Sequence, residues 1–229
     1  MPSDRTRTAI LAAAERLYAD RGFGDVTLRD IVAAADVNLA AVNYHFGSKD
    51  ELIAELFVTR SLALNRERLR ELKAAEDKGG GRAGIDDILR ALVGPTLRGC
   101  LGPNNQQSTA ARFMIRVSIE SVPPIRRIRN REIDHLRKFV AALARALPDH
   151  SEAELCWGLH FALAMAQQTV RDTERLTKLS DGKCDVDDVE GIIARVVSVA
   201  VMALTGNEAA KKAPARVPAP NVRYSRQDL

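Results

Sequence analysis

Aromatic side chains are scarce in this chain of 229 residues: 4% of the total, with one tryptophan, Trp157. A β-sandwich builds its core largely from aromatic and β-branched residues in strands of alternating polarity. The shortage of rings, and the lack of any period-2 alternation, exclude that class. Cysteine is scarce too. Cys100, Cys156 and Cys184 are odd in number and widely spaced. That excludes a disulfide framework and predicts reduced thiols in a cytoplasm. Long apolar runs are missing. Val196 to Leu204, broken only by Ser198, falls far short of the roughly 20 residues that span a bilayer. The start, Met-Pro-Ser-Asp-Arg-Thr-Arg, leads into an amphipathic segment and not an apolar leader. Neither a membrane partner nor secretion is expected.

Alanine, leucine and arginine dominate instead, a composition that suits helices. Hydrophobic residues reach 46% and charged residues 28%, so the chain can bury a core without metal or disulfide staples. The formal charge of +4 is a weak lead toward nucleic acid, because its distribution matters more than its sum.

The periodicity predicts an all-α protein. A first helix runs over 5–21, with Ile10, Leu11, Ala14, Leu17 and Tyr18 on one face. Gly22 suits the left-handed position that ends it, and Phe23 folds back on its last turn. Thr27 and Asp30 form a capping box for a second, short helix ending near 34 or 35, stapled by Val26 and Ile31. Asp36 suits a left-handed turn. Asn38 caps a third helix, and Val37 and Val42 repeat the staple. Ser48 and Glu51 form another capping box, opening a fourth helix over about 49–76. Residues 77–84, rich in glycine, form a flexible connection. Further helices are expected over 85–100, 108–121, 124–147, 151–178 and 187–205, punctuated by Pro123, Pro124 and Pro148. Residues 207–229, rich in Ala, Pro and Arg, read as a disordered tail.

Residues 27–46 thus form a helix-turn-helix pattern. Val37, Val42 and Phe46 face inward. Asn38, Ala40, Ala41, Asn43, Tyr44 and His45 face outward on a helix of a size that fits the DNA major groove. Here Thr27-Leu-Arg-Asp-Ile-Val, then Val37-Asn-Leu-Ala-Ala-Val-Asn-Tyr-His-Phe46, then Ser48-Lys-Asp-Glu-Leu52 closely resemble the DNA-binding domain of the TetR family of bacterial regulators. Tyr44-His45-Phe46-Gly47-Ser48-Lys49 is the most specific stretch, and the resemblance covers about residues 5–60. It implies a three-helix helix-turn-helix domain over 1–50, a connecting helix over 51–78, and a larger helical effector-binding and dimerisation domain over 79–206. It places Thr27 at a phosphate and Arg29 near a groove edge. Leu39, Ala40, Ala41 and Asn43 fall where bases are read, and Tyr44, His45 and Lys49 where phosphates are held. Physical chemistry supports parts of this. A capped helix N-terminus favours phosphate, Asn43 can pair with adenine, and alanines can meet thymine methyls. The departure is Asp36, where the family usually has glycine; a carboxylate aimed at the duplex would weaken binding.

The second domain resembles, more loosely, the effector domain of members that respond to fatty acids or their thioesters, through Pro148 to Phe161 and Leu179 to Asp185. Trp157, His160, Phe161, Met165 and Gln168 stand at spacings that would line one side of a helix. They are the expected wall for a small apolar or amphipathic effector, a fatty acid or acyl thioester among the options. A packed core or dimer surface explains the same stripe. The helices over 151–178 and 187–205 are expected to pair with their copies in a homodimer. Val189, Ile192, Ile193, Val196, Val197, Ala200 and Val201 give the last of them an unusually wide apolar surface.

Enzyme signals are weak. The Gly79–Gly84 run lacks the Lys-Ser/Thr of a phosphate loop. His45, His135, His150 and His160 show no metal-ligand spacing with the cysteines, and Cys184 to Asp188 does not match a calcium loop. No catalytic residue, cofactor or metal is expected. The leading reading is a ligand-responsive transcriptional regulator, a repressor, binding a near-palindromic double-stranded DNA operator. Its rivals are a constitutive DNA-binding protein without an effector, and a helical small-molecule-binding protein whose first domain is only structural. Charge does not decide. Residues 1–50 hold six basic and seven acidic side chains, whereas 112–138 hold eight and three.

Overall fold

A computed structural model describes residues 2–102 and 108–206. Among them there is no strand, as the periodicity predicts, and there are eleven helices where it predicts nine: α1 (Pro2–Arg21), α2 (Leu28–Ala35), α3 (Leu39–Phe46), α4 (Lys49–Lys78), α5 (Ile85–Leu101), α6 (Thr109–Ile119), α7 (Pro123–Arg131), α8 (Asp134–Ala146), α9 (Glu152–Arg171), α10 (Thr173–Leu179) and α11 (Val189–Thr205). The expected tail over 207–229 lies outside the described residues.

The caps read from the sequence form. The Thr27 hydroxyl accepts from the Asp30 N–H at 3.2 Å while the Asp30 carboxylate accepts from the Thr27 N–H at 2.8 Å. The stapling residues Val26 and Ile31 are fully buried. Asp36 is left-handed, with φ 54°, and the Val37 N–H reaches back to the Val32 carbonyl at 3.0 Å, closing α2 in a Schellman turn. Asn38 caps α3 through the Ala41 N–H at 2.8 Å. The Ser48 box is half made. Its hydroxyl takes the Glu51 N–H at 3.2 Å, but its own N–H donates to the Phe46 carbonyl, which leaves the Glu51 carboxylate on the Ser48 hydroxyl instead.

Two predicted helices are each divided. The span 124–147 breaks at Glu132 and Ile133, so that α7 buries Ile125 and Ile128 and α8 buries Phe139, Ala142 and Leu143. Ile128 and Phe139 lie eleven residues apart, close to three full turns, so the apolar stripe stays in phase across the break and conceals it. The span 151–178 breaks at Asp172, whose backbone leaves the helical region at φ −141°, ψ 35°, while its carboxylate accepts from the Gln168 side chain at 3.3 Å.

Two hydrophobic clusters result. One gathers Ile10, Tyr18, Phe23, Val26, Ile31, Val42 and Phe46 with Leu52 to Phe57 of α4, and it also takes in Phe113, Val117, Ile125 and Ile128 of α6 and α7. The other joins the end of α4 to α5, α8, α9 and α11. The N-terminal core therefore extends well beyond residues 1–50. α6 and α7 complete it, because the short α2 and α3 cover too little of α1 and α4.

Candidate nucleic-acid interface and internal cavity

The chain builds α3 as a platform that is buried below and bare above. Val42 and Phe46 are buried, Val37 half-buried. On the opposite face Asn38, Leu39, Ala40, Asn43 and Tyr44 are exposed, Tyr44 at 82%, while Ala41 and His45 are half-buried at the edge. The sequence-predicted outward residues therefore share one surface, with Arg29 and Thr27 of the neighbouring α2 also exposed. Small Ala40 and Ala41 let that surface approach a partner closely. Asn43 and Tyr44 bring hydrogen-bonding groups. Asp36 is exposed at the turn.

Two of the groups that the resemblance places at phosphates are engaged within the chain. The Lys49 ammonium donates to the carbonyls of Phe23, at 2.9 Å, and Val26, at 2.5 Å, and stands 5.9 Å from the Tyr18 ring. It thereby ties the α1–α2 loop to the start of α4. The Thr27 hydroxyl donates to Asp30 at 2.6 Å. These Thr27 hydrogen bonds, aided by Arg21, pull the Asp30 carboxyl down to about 2. Lys49 keeps one of its three N–H donors for an outside acceptor.

The second feature is a cavity of about 410 Å³ walled by α4, α5, α6, α7, α8 and α9. Its lining is mostly apolar, with Phe57, Leu64, Met114, Val117, Leu163 and Val170 among the walls, as is usual for small-molecule sites. The buried Pro95 sits in the α5 wall, where its missing N–H interrupts the helical ladder. Polar groups are few. Arg60 makes a two-pronged ion pair with the nearly buried Glu15 of α1, 2.5 Å on each prong. Arg68 is buried, held by Thr96 Oγ1 at 2.7 Å and Asn65 Oδ1 at 3.3 Å. Burial pushes its guanidinium down to about 10, so it remains a cation at neutral pH. Burial, and then the Arg68 charge, hold the His135 imidazole below its ordinary value. Burial pushes the Cys100 thiol up to about 11, which leaves it unreactive.

The five residues expected to wall an effector site do not line this cavity. The wall is the C-terminal half of α9, through Leu163, Ala166, Gln167 and Val170. Trp157, His160 and Phe161 stand on its N-terminal half and face outward, Trp157 60% and Phe161 50% exposed, with Trp157 and Phe161 stacked at 5.5 Å. Met165 packs against the core, and Gln168 is exposed and bonded to Asp172. Spacing alone could not say which neighbour each of these residues faces. Arg68 was missed, although its signal is legible: it falls between Leu64 and Leu72 at intervals of four, a charge on the apolar stripe of α4.

α6 stands between the cavity and α1. One side lines the cavity with Ala111, Met114 and Val117; the other holds the end of α1. Arg112 pairs with Asp20 at 2.8 Å, Arg116 donates to the Asp20 carbonyl at 3.3 Å, and the Phe23 N–H donates to Glu120 at 2.9 Å. Gly22, at φ +85°, is needed there: a Cβ would lie 2.6 Å from Glu120 Oε1.

Comparison with known proteins identifies the two domains that carry these features. Residues 10–56 match the model of bacterial regulatory proteins of the TetR family, and residues 90–203 match that of the tetracyclin repressor-like C-terminal domain. An HTH-type transcriptional repressor of Mycobacterium tuberculosis is 46% identical over 55 residues, 23% of this chain and 29% of that protein, so the shared part spans under a third of the relative. The crystal structure of NalD, the secondary repressor of the MexAB-OprM multidrug efflux pump in Pseudomonas aeruginosa, superposes with a TM-score of 0.56 at 19% identity, covering 86% of this chain and 96% of that one. FadR from Bacillus subtilis, crystallised with stearoyl-CoA, gives 0.55 at 15% identity over 87% and 98%. At these identities the two structures speak for the fold alone. With one family model over the helix-turn-helix and the other over the helical remainder, the chain belongs to the TetR family of bacterial regulators.

Proposed function

We propose that the protein is a ligand-responsive transcriptional regulator, a repressor, acting in the cytoplasm as a homodimer on a near-palindromic operator. The observation that carries this reading is the bare face of α3, rigidly backed by Val42 and Phe46 and capped at both ends. On it Leu39, Ala40, Ala41 and Asn43 would meet base edges, with Arg29 at the groove edge and Asn38 beside them. Tyr44, His45, Thr27 and the spare donor of Lys49 would meet phosphates. Residues 1–50 would carry the DNA contacts, 51–78 the connection, and 79–206 the effector and the dimer face.

The outward stripes of α9 and α11 support the dimer. Cys156, Trp157, His160, Phe161 and Ala164 on one helix, and Ala194, Ser198, Val199 and Met202 on the other, are all exposed, with the exposed Arg195 as the charge among the latter. Val199 is 46% and Met202 59% exposed, an apolar surface of the kind that marks an interface. A twofold axis through it would set two α3 helices one helical turn apart, or a multiple of it, along DNA.

The cavity would hold a small apolar or amphipathic effector. Its α6 wall also grips α1, so an effector that displaces α6 would move α1 and with it α3. Operator affinity would then fall by as much as the effector prefers the displaced arrangement. A gel-shift assay with the DNA upstream of the protein's own gene tests the reading. A retarded complex that competes with specific DNA is expected; no complex at low salt, with folded dimer present, would end it.

A further inference from the structure

Among the described residues, the cavity contains one charge, Arg68, that no acid answers. Arg68 is 8% exposed, and the two bonds it makes are to neutral acceptors, Thr96 and Asn65. Its Nε is buried without an acceptor, and no carboxylate pairs with it among the described residues. In sequence, the stretch that precedes Ser108, Pro103 to Gln107, contains no acid. The other cavity charges are balanced or outward. Arg60 is satisfied by Glu15, and Arg129 and Glu132 are exposed and opposite in sign.

An isolated cation in a low-dielectric site is costly, and breaking a buried pair is strongly destabilising. A guanidinium has five N–H donors in a planar fork that matches a carboxylate, and the two bonds above leave most of that fork unused. The walls around it are apolar and the volume, about 410 Å³, suits a compact organic molecule.

We propose that the effector is an organic acid: an apolar body with one free carboxylate, the body filling the cavity and the carboxylate received by Arg68 with the Thr96 hydroxyl beside it. This rests on the reading of the cavity as the effector site and narrows it. A neutral thioester or alcohol of the same shape leaves the cation unpaired. A free acid neutralises it and replaces its lost hydration with charge-assisted hydrogen bonds. Arg68 is then the specificity-determining residue, and the apolar walls select shape.

The test pairs acids with alcohols of equal skeleton: decanoate with decan-1-ol, and 2-naphthoate with 2-naphthol. Each is titrated calorimetrically into the full chain below any micellar concentration. In the wild-type protein at least one acid binds tenfold or more tightly than its alcohol. In Arg68→Met that acid loses at least tenfold in affinity, while its alcohol binds as well or better. The melting temperature of Arg68→Met without ligand is no lower than wild type, because the variant removes an unpaired buried charge. Should that variant fold poorly, the wild-type comparison of acid with alcohol carries the test unaided. Alcohols binding as tightly as their acids, or acids indifferent to Arg68→Met, overturn the inference and leave the cavity as an effector site for neutral molecules. Binding of neither pair to wild type overturns both.

Discussion

His135 and Arg68 share the cavity wall, and each reports on the other. Burial first, and the Arg68 charge second, hold the His135 imidazole below its ordinary value of 6.5. The folded state therefore resists a proton that the unfolded chain accepts. The stability tied to neutral His135 is fully present above pH 6.5 and is lost as pH falls through the lower folded value. Thermal melts between pH 7.5 and 5.5 should show a steeper loss for wild type than for His135→Gln. In NMR titrations the His135 imidazole should titrate at a higher pH in Arg68→Met, because one of its two depressing influences is gone. An unchanged titration would mean that the two side chains do not interact. Lys49 makes a different point. Since its ammonium holds two loop carbonyls, Lys49→Ala should lower both the melting temperature and operator affinity. Asn43→Ala, at an exposed side chain with no hydrogen bond among the described residues, should spare stability and relax sequence preference at one base pair, an effect of about 1–3 kcal/mol.

The turn between α2 and α3 and the contact between α1 and α6 are the elements on which α3 depends. Asp36 occupies a left-handed position that aspartate tolerates and alanine does not. Asp36→Ala should cost about 1 kcal/mol, read as a fall of roughly 2–4 °C in melting temperature. Beside the α1–α6 contact, the buried Glu15 of α1 and the half-exposed Arg60 of α4 form a pair that ties the α4 wall of the cavity to α1. Glu15→Ala leaves the guanidinium alone. With screening by solvent considered, the cost is about 1–2 kcal/mol. The same variant should weaken the effect of effector on operator affinity, measured by fluorescence anisotropy with and without a bound acid. Undiminished coupling would assign the transmission to α6 alone.

Across the whole molecule, charge and apolar surface are distributed by role. Residues 1–50 are not net basic, so DNA affinity would rest on placed groups more than on a general field. Two of the basic residues in 112–138, Arg112 and Arg116, are engaged in holding α1. The largest side chains left bare on α9 and α11, Trp157, Phe161 and Met202, form the outward surface of the second cluster. A charge at its centre should separate the protomers. Trp157→Glu should sediment as a monomer in analytical ultracentrifugation at micromolar concentration and lose most operator affinity, because each half-site would bind alone. A Trp157→Glu dimer would place the interface elsewhere.

Local rules were legible residue by residue. Thr27 with Asp30, Asn38, Gly22 and Asp36 announce their caps and turns because those interactions reach only a few residues. The outward set on α3 follows from the same short-range periodicity, and the Tyr44 to Lys49 stretch carries the family resemblance. What distance in sequence hides, packing decided. The stripe of α9 could have faced a cavity, a core or a second copy, and only its neighbours α5, α6 and α11 determine which. The breaks at Glu132 and Asp172 were invisible because the apolar phase runs through them. The reach of Lys49 to Phe23 and Val26 depends on how α4 meets the α1–α2 loop. The buried charge of Arg68 is a tertiary fact for the same reason. The sequence shows an arginine on an apolar stripe; only the folded walls reveal that no acid among the described residues answers it.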